Sequence, residues 1–289
     1  KAMTIGTSVY YPTGAITPRF YGSVYVIMFN KDLAEDLGIE NLYDAVQSGT
    51  WTIDKMFHLA QGALVDLNGD GKYDTDDQYG LVYEVLTPYA LWIGADKTVV
   101  VNDNGNMRYA MDDEDLITLF DHLLSYLSDP SVTRDLGDAE ISKLLYEGRT
   151  LFQNPCTFNL TEYREVEFSF GILPMPKWDE AQDEYYTHAT AHTSAVAIPV
   201  TKDNDGFVFA ETILEALAAE GYKQVRPAIY DVALKSKYTR DEVSYEMIDI
   251  VVHGRTADFA EIFDNWGLTY TLDHLTRKKS ADWASFYQS

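Results

Sequence analysis

The segment from Gly148 to Val200 constrains this chain more than any other. It reads GRTLFQNPCTFNLTEYREVEFSFGILPMPKWDEAQDEYYTHATAHTSAVAIPV. It leaves a predicted helix, passes through a loop containing proline and aromatic residues, and predicts a strand at Phe168–Leu173. A polar excursion follows, then a second apolar run, Ser194–Pro199, that reads as another strand. Two strands joined by so long a loop imply a crossing between two lobes. Open α/β folds bind small molecules in such crevices, at the carboxyl ends of strands.

The remaining pattern alternates short strands with amphipathic helices, as an α/β fold requires. Val24–Phe29 (VYVIMF) is a continuous apolar run, read as a buried strand. Asn30 caps a helix running to Leu37, with Gly38 suited to the left-handed position beyond it. Asn41 opens a helix ended by Gly49, and Thr52 caps a longer one. Gly80–Leu86 predicts a strand, and Thr87-Pro88-Tyr89 begins a helix because proline fits the first helical position. Asn104-Gly105 marks a hairpin between Thr98–Val101 and Met107–Tyr109. Helices are predicted at Asp115–Leu127, Asp138–Glu147, Phe207–Ala219 (ending at Gly221), Arg226–Ala233, Asp258–Phe263, Thr269–Leu275 and Ala281–Tyr287. A capping box at Thr239–Glu242 opens a helix through Val252.

Composition narrows the function. Forty-six acids against 22 bases give a net charge of −24. Such a surface repels phosphate backbones and lacks the basic face of a membrane-surface binder. The single cysteine, Cys156, excludes an internal disulfide framework. No run of about 18 apolar residues predicts a membrane-spanning helix. Aromatic residues make up 13%, 21 of them tyrosine, which supplies rings suited to apolar sugar faces.

Asp66-Leu67-Asn68-Gly69-Asp70-Gly71-Lys72-Tyr73-Asp74-Thr75-Asp76-Asp77 matches the twelve-residue calcium pattern. Oxygen-bearing side chains fall at positions 1, 3, 5, 9 and 12 (Asp66, Asn68, Asp70, Asp74, Asp77), with Gly71 at the sharp turn. Lys72 occupies position 7, where the ligand is a backbone carbonyl. Aspartate rather than glutamate at the last position resembles the dockerin kind of loop. The expected cofactor is a structural Ca2+.

Several stretches together resemble the family 1 extracellular solute-binding proteins. These are VYVIMFNKDLAEDLGIENLYDAVQSGTWTIDKM, DQYGL, FGILPMPKWDEAQDEYY, SAVAIPVTKDNDGFVFAETILEALAAE and YDVALKSKYTRDE. The last three are similar to the carbohydrate-type members of Gram-positive bacteria. The resemblance implies a periplasmic-binding-protein type II-like α/β fold whose two lobes close on a ligand. It also implies a cell-surface lipoprotein that delivers a sugar to the permease subunits of an ABC transporter. In the family the asparagine-lysine strand comes later, so an N-terminally truncated chain is expected, holding mostly the C-terminal lobe. Residues 1–190 and 226–289 are assigned to that lobe, and residues 191–225 to a crossing segment of the N-terminal lobe.

Ligand-binding candidates follow from the resemblance and from residue chemistry. Thr87-Pro88-Tyr89 stands where maltose-binding members have Glu-Pro-Tyr, so Tyr89 is expected to stack on sugar, with Trp92 one turn on. Asn154 and Phe158 lie on the loop where the family places a binding aromatic. Trp266 matches its C-terminal cleft region, and His192 is expected to line the crevice. His188 and His192 are four apart, but in an extended chain they stand roughly 13 Å apart, too far for one zinc. No nucleophile elbow, phosphate-binding glycine loop or zinc signature is present. The alternatives are a glycosidase-like enzyme using two of the many acids, or a calcium-dependent scaffold module. The loop yields a first prediction. A hundredfold excess of calcium over its Kd stabilises the fold by roughly 2.7 kcal/mol. Melting with and without chelator measures this, and coincident curves exclude the ion.

Overall fold

The strand predicted at Val24–Phe29 is observed at Ile27–Asn30 (β3), an interior strand of a five-stranded sheet. The computed structural model describes residues 4–5, 8–9, 13–103, 106–110, 112–134, 139–190, 192–199, 203–229, 242–263 and 267–278. Its elements in chain order begin with a small hairpin, Thr4–Ile5 (β1) with Ser8–Val9 (β2), and a single turn, Arg19–Gly22 (α1). After β3 come Lys31–Asp36 (α2), Leu42–Gln47 (α3) and Ile53–Gly62 (α4). The capping residues are those the sequence marks. Asn30 accepts the amide of Leu33 at 3.0 Å, Asn41 that of Tyr43 at 3.1 Å, and Thr52 that of Lys55 at 3.3 Å.

Tyr79–Tyr83 (β4), Thr87–Gly94 (α5), Val100–Asp103 (β5), Asn106–Tyr109 (β6) and Glu114–Leu127 (α6) follow. β5 and β6 pair antiparallel as predicted, although the Asn104-Gly105 turn lies outside the described residues. Next are Val132–Arg134 (β7), Ala139–Tyr146 (α7), Thr150–Gln153 (β8), a 3-10 segment at Thr157–Glu165, and Phe170–Leu173 (β9). Thr187–His188 (β10), Asn204–Glu220 (α8), Glu242–His253 (α9), Arg255–Thr256 (β11), Phe259–Phe263 (α10) and Gly267–Lys278 (α11) complete the chain.

The sheet order is β7-β4-β8-β3-β9. β4 is parallel to β7 and β8, whereas β3 is antiparallel to both β8 and β9. Four strands therefore point one way and β3 the other. Strands of this kind are apolar on both faces, as in sheets covered by helices on each side. Ile27 and Phe29 face a cluster with Trp51, Phe57, Tyr89, Trp92 and Phe152, and Met28 faces another with Phe170 and Ile172.

One expectation changes. Residues 194–199 form no strand, because no described strand offers their amides and carbonyls a ladder. The α-helix predicted to end at Gly221 does so, running to Glu220 with Gly221 as its cap. The cap stays helical (φ −58°), and the chain continues through a wider π-helical turn, Gly221–Val225. The glycine is needed there for close approach, since a Cβ would stand 1.8 Å from the Ala15 carbonyl oxygen. The Thr239–Asp241 cap and the helix predicted at Ala281–Tyr287 lie outside the described residues.

One helix is an exception to the burial rule. None of the 17 residues of α8 is buried, and Phe207, Val208, Phe209, Ile213 and Leu217 are exposed. At Gly80 the opposite holds, since β4 packs so tightly on α4 that a Cβ would stand 2.0 Å from the Ala60 carbonyl oxygen. Gly80→Ala should cost about 1–3 kcal/mol in urea denaturation. Gly62→Ala, with open space around it, is the control and should not destabilise the protein.

Candidate functional site

Strand direction decides where the site lies. The carboxyl ends of β4, β7, β8 and β9 share one edge of the sheet, and the opposed β3 starts there. Residues just after β4 and β8 and just before β3 are thereby brought together. Tyr25 bridges to Cys156, and the Tyr25 amide donates to the His188 carbonyl at 3.1 Å. The Val26 amide donates to Pro155 and the Thr157 amide to Val24, at 3.1 and 2.8 Å. These bonds lace residues 24–26, 155–157 and 188–190 into one framework.

Aromatic rings line it. Tyr25 and His188 are stacked, with centroids 5.4 Å apart and planes at 9°. Tyr89 meets His188 edge-on at 5.1 Å and 85°. His188 Nε2 lies 2.8 Å from Glu261 Oε2, both side chains being buried. Its Nδ1 is buried and makes no hydrogen bond among the described residues. Asp258, also buried, accepts the amides of Val99, Val100 and Ala260 and thereby ties α10 to the start of β5. Burial raises the Asp258 carboxyl above its ordinary value, and the amide donors together with the Tyr89 hydroxyl oppose that rise. Burial likewise pushes up the Tyr25 hydroxyl, helped by Glu84, Cys156, Glu261 and Tyr270. The Cys156 thiol is raised by burial, with Glu84 adding to the effect. The edge thus combines ring faces with carboxylates.

The structure divides the predicted residues. Tyr89 and Trp92 belong to the same core cluster as Tyr25, with Cys156 packed against it; Asn154 joins through Met175, its Nδ2 lying 3.3 Å from the sulfur. The same Nδ2 donates to the Val26 carbonyl at 2.8 Å, and its Oδ1 is unpaired among the described residues. Tyr89 and Trp92 are 0% exposed, because every residue of α5 is buried. Their rings wall the site from behind and offer no face to solvent. Phe158 stands two residues past Cys156 at 60% exposure. His192 is exposed, apart from its buried neighbour in sequence spacing, His188. Trp266 lies outside the described residues. Sequence reasoning missed Tyr25, hidden in an apolar run, and the distant carboxylates Glu84, Asp258 and Glu261.

The predicted calcium loop joins α4 to β4. Asp66 accepts the amides of Gly69 and Gly71 at 2.7 and 2.9 Å. Asn68, Asp70 and Asp74 each accept the amide two residues on, at 2.9, 2.8 and 2.8 Å. Buried Asp77 accepts from Leu67 and Asp74, both at 2.9 Å. Lys143 pairs with Asp76 at 2.8 Å, and Arg149 donates to the Thr75 carbonyl. Gly71 has the expected left-handed φ of 78°. The carboxylates are engaged by backbone amides, and among the described residues no three acidic side chains converge to hold a metal ion.

No protein-family model matches the sequence, and no curated protein is similar to it. Solved structures are similar in fold. A cyclo/maltodextrin-binding protein complexed with maltotetraose superposes with a TM-score of 0.62 at 12% identity, over 99% of this chain and 71% of that one. The maltose/maltodextrin-binding domain MalE from Bdellovibrio bacteriovorus, bound to maltotriose, gives 0.53 at 12% identity, over 98% and 74%. ABC substrate-binding protein Lmo0181 from Listeria monocytogenes, in complex with cycloalternan, gives 0.59 at 11%, over 99% and 71%. No described helix is long and apolar enough to cross a membrane. This chain, a mixed sheet of one strand opposed to four covered by helices, is similar in fold to these substrate-binding proteins.

Proposed function

We propose that this chain binds an extracellular sugar or oligosaccharide, and that the protein delivers it unchanged to an ABC importer. The observation that carries the reading is the fold, which superposes over 99% of this chain on a binding protein, with the half-buried carboxylate Glu84 at the strand edge beside the covered Tyr25. The solved structures of similar fold hold maltotetraose, maltotriose and cycloalternan, which supports the ligand class. The same reading makes the protein a cell-surface lipoprotein of Gram-positive type that docks on permease subunits.

The lobe assignment belongs to this proposal. Residues 191–225 form part of a second lobe, and residues 1–190 and 226–289 mainly the first. The exposed apolar side chains of α8 support it, because a helix patterned this way ordinarily packs on something. Calcium in the 66–77 loop is also proposed. Binding there requires Asp66, Asp70 and Asp74 to exchange amide hydrogen bonds for the cation, with Asn68, the Lys72 carbonyl and Asp77 completing the set.

A melting screen with maltotriose, maltotetraose and other neutral oligosaccharides, followed by mass spectrometry of the recovered ligand, tests the reading. A stabilising sugar recovered intact is the expected result, and cleavage products would replace the binder by a glycosidase. Glu84→Gln should weaken a bound sugar about tenfold, the loss of one charge-assisted hydrogen bond. Cys156 should react with iodoacetamide more slowly than a free thiol, and more slowly still with the sugar present.

A further inference from the structure

The loop between α4 and β4 holds an asparagine followed directly by a glycine, Asn68-Gly69, and both residues are exposed. This pairing carries a chemistry of its own. The glycine nitrogen has no Cβ beside it, so it can approach the asparagine carboxamide closely and close a succinimide ring on it. The reaction needs the carboxamide carbon placed against that nitrogen, a base for the nitrogen's proton, and a donor for the carbonyl oxygen as it gains charge.

Hydrogen bonds in the turn supply all three. The Asp70 amide donates to Asn68 Oδ1 at 2.9 Å. This bond folds the asparagine side chain back over the intervening peptide, which sets Cγ against the Gly69 nitrogen. The Gly69 amide donates to Asp66 Oδ1 at 2.7 Å, within the reach a general base needs. The Gly71 amide holds the other Asp66 oxygen at 2.9 Å and so keeps the carboxylate aimed. The Asp70 amide meanwhile stands at the oxygen on which negative charge develops. Val65 and Gln78 exchange backbone hydrogen bonds at 3.1 and 3.0 Å, which pins the base of the loop. Gly69 has a φ of 74°, and the space beside its Cα is open. Water can reach the pair, and ammonia can leave it.

We propose that this turn is a self-modification site, at which Asn68 loses ammonia and becomes aspartate or isoaspartate with Asp66 as the base. The Gly69 nitrogen bonds to Asn68 Cγ while its proton passes to Asp66. The Cγ–Nδ2 bond then breaks, and Nδ2 leaves as ammonia, taking that proton with it. Water opens the succinimide. Attack at Cγ restores the ordinary backbone with an aspartate, whereas attack at the main-chain carbonyl leaves the chain running through Cγ, longer by a methylene. Either product adds a negative charge to a turn already rich in carboxylates. The proposal is independent of the sugar reading.

Incubation of the full chain at neutral pH with a chelator present, followed by peptide mapping, tests it. The chelator keeps calcium from occupying Asp66 and Asn68. Cleavage after Lys55 and Lys72 places Asn68 on one peptide, and cleavage after Lys97 and Arg108 places the other Asn-Gly pair, at Asn104, on a second. Asn68 should convert at least about tenfold faster in the native protein than in the same chain unfolded in urea, where the turn and its base are gone. Asp66→Asn keeps the shape and an acceptor but loses the base, and should bring the native rate down to that in urea. Asp76→Asn removes an equal charge from the loop and should leave the rate unchanged. Native conversion no faster than in urea overturns the proposal, whether or not the Asp66 variant folds. So does a folded Asp66→Asn protein that converts at the wild-type rate.

Discussion

β3 runs against both of its neighbours, and the site depends on that one reversal. Were it parallel to β8 and β9, the segment before it would enter at the opposite edge of the sheet. Tyr25 would then stand a full strand length from Cys156 and His188. As built, the chain enters β3 where the other strands leave, and backbone hydrogen bonds from Tyr25, Val26 and Thr157 fasten entry to exit. This meeting of segments is a consequence of ladder geometry before any side chain is considered.

The side chains that fill this edge carry charge into a covered place, and each charge has a local answer. Asp258 is surrounded by backbone amides, so its carboxylate acts as a splint between the start of β5 and α10. Glu261 is answered by His188, whose ring is held in turn between Tyr25 and Tyr89. Removing one partner of such a buried pair leaves the other uncompensated, which makes the arrangement rigid whatever its net contribution to stability.

α8 obeys a different balance. α8 has the apolar content of a packed helix and none of the burial. Its side chains contrast with those of α5, where every residue is covered. The wholly uncharged α5 is covered, whereas α8, which mixes acids with its apolar side chains, is not. The same contrast separates Tyr89 from Phe158. Both were expected to touch a ligand, yet Tyr89 is fully covered and Phe158 stands exposed.

Local instructions were readable from the sequence. Asn30, Asn41 and Thr52 open their helices because a side-chain oxygen meets an amide two or three residues on, an interaction that needs no distant partner. Apolar runs likewise marked β3, β4 and β9 to within a few residues, since strand burial leaves a continuous hydrophobic trace. The run at 194–199 carried the same trace without becoming a strand, because a ladder needs a second strand and the sequence cannot say whether one is near. Gly221 carried a helix-stop signal, and the approach of Ala15 gave it another use. The site was the least legible part. Tyr25 and His188 stack across 163 positions, and Glu261 lies a further 73 along. No spacing rule spans such gaps. Residue types and helix boundaries are set by short-range chemistry, whereas the meeting of rings and carboxylates was decided only when strand order and direction brought distant loops to one edge.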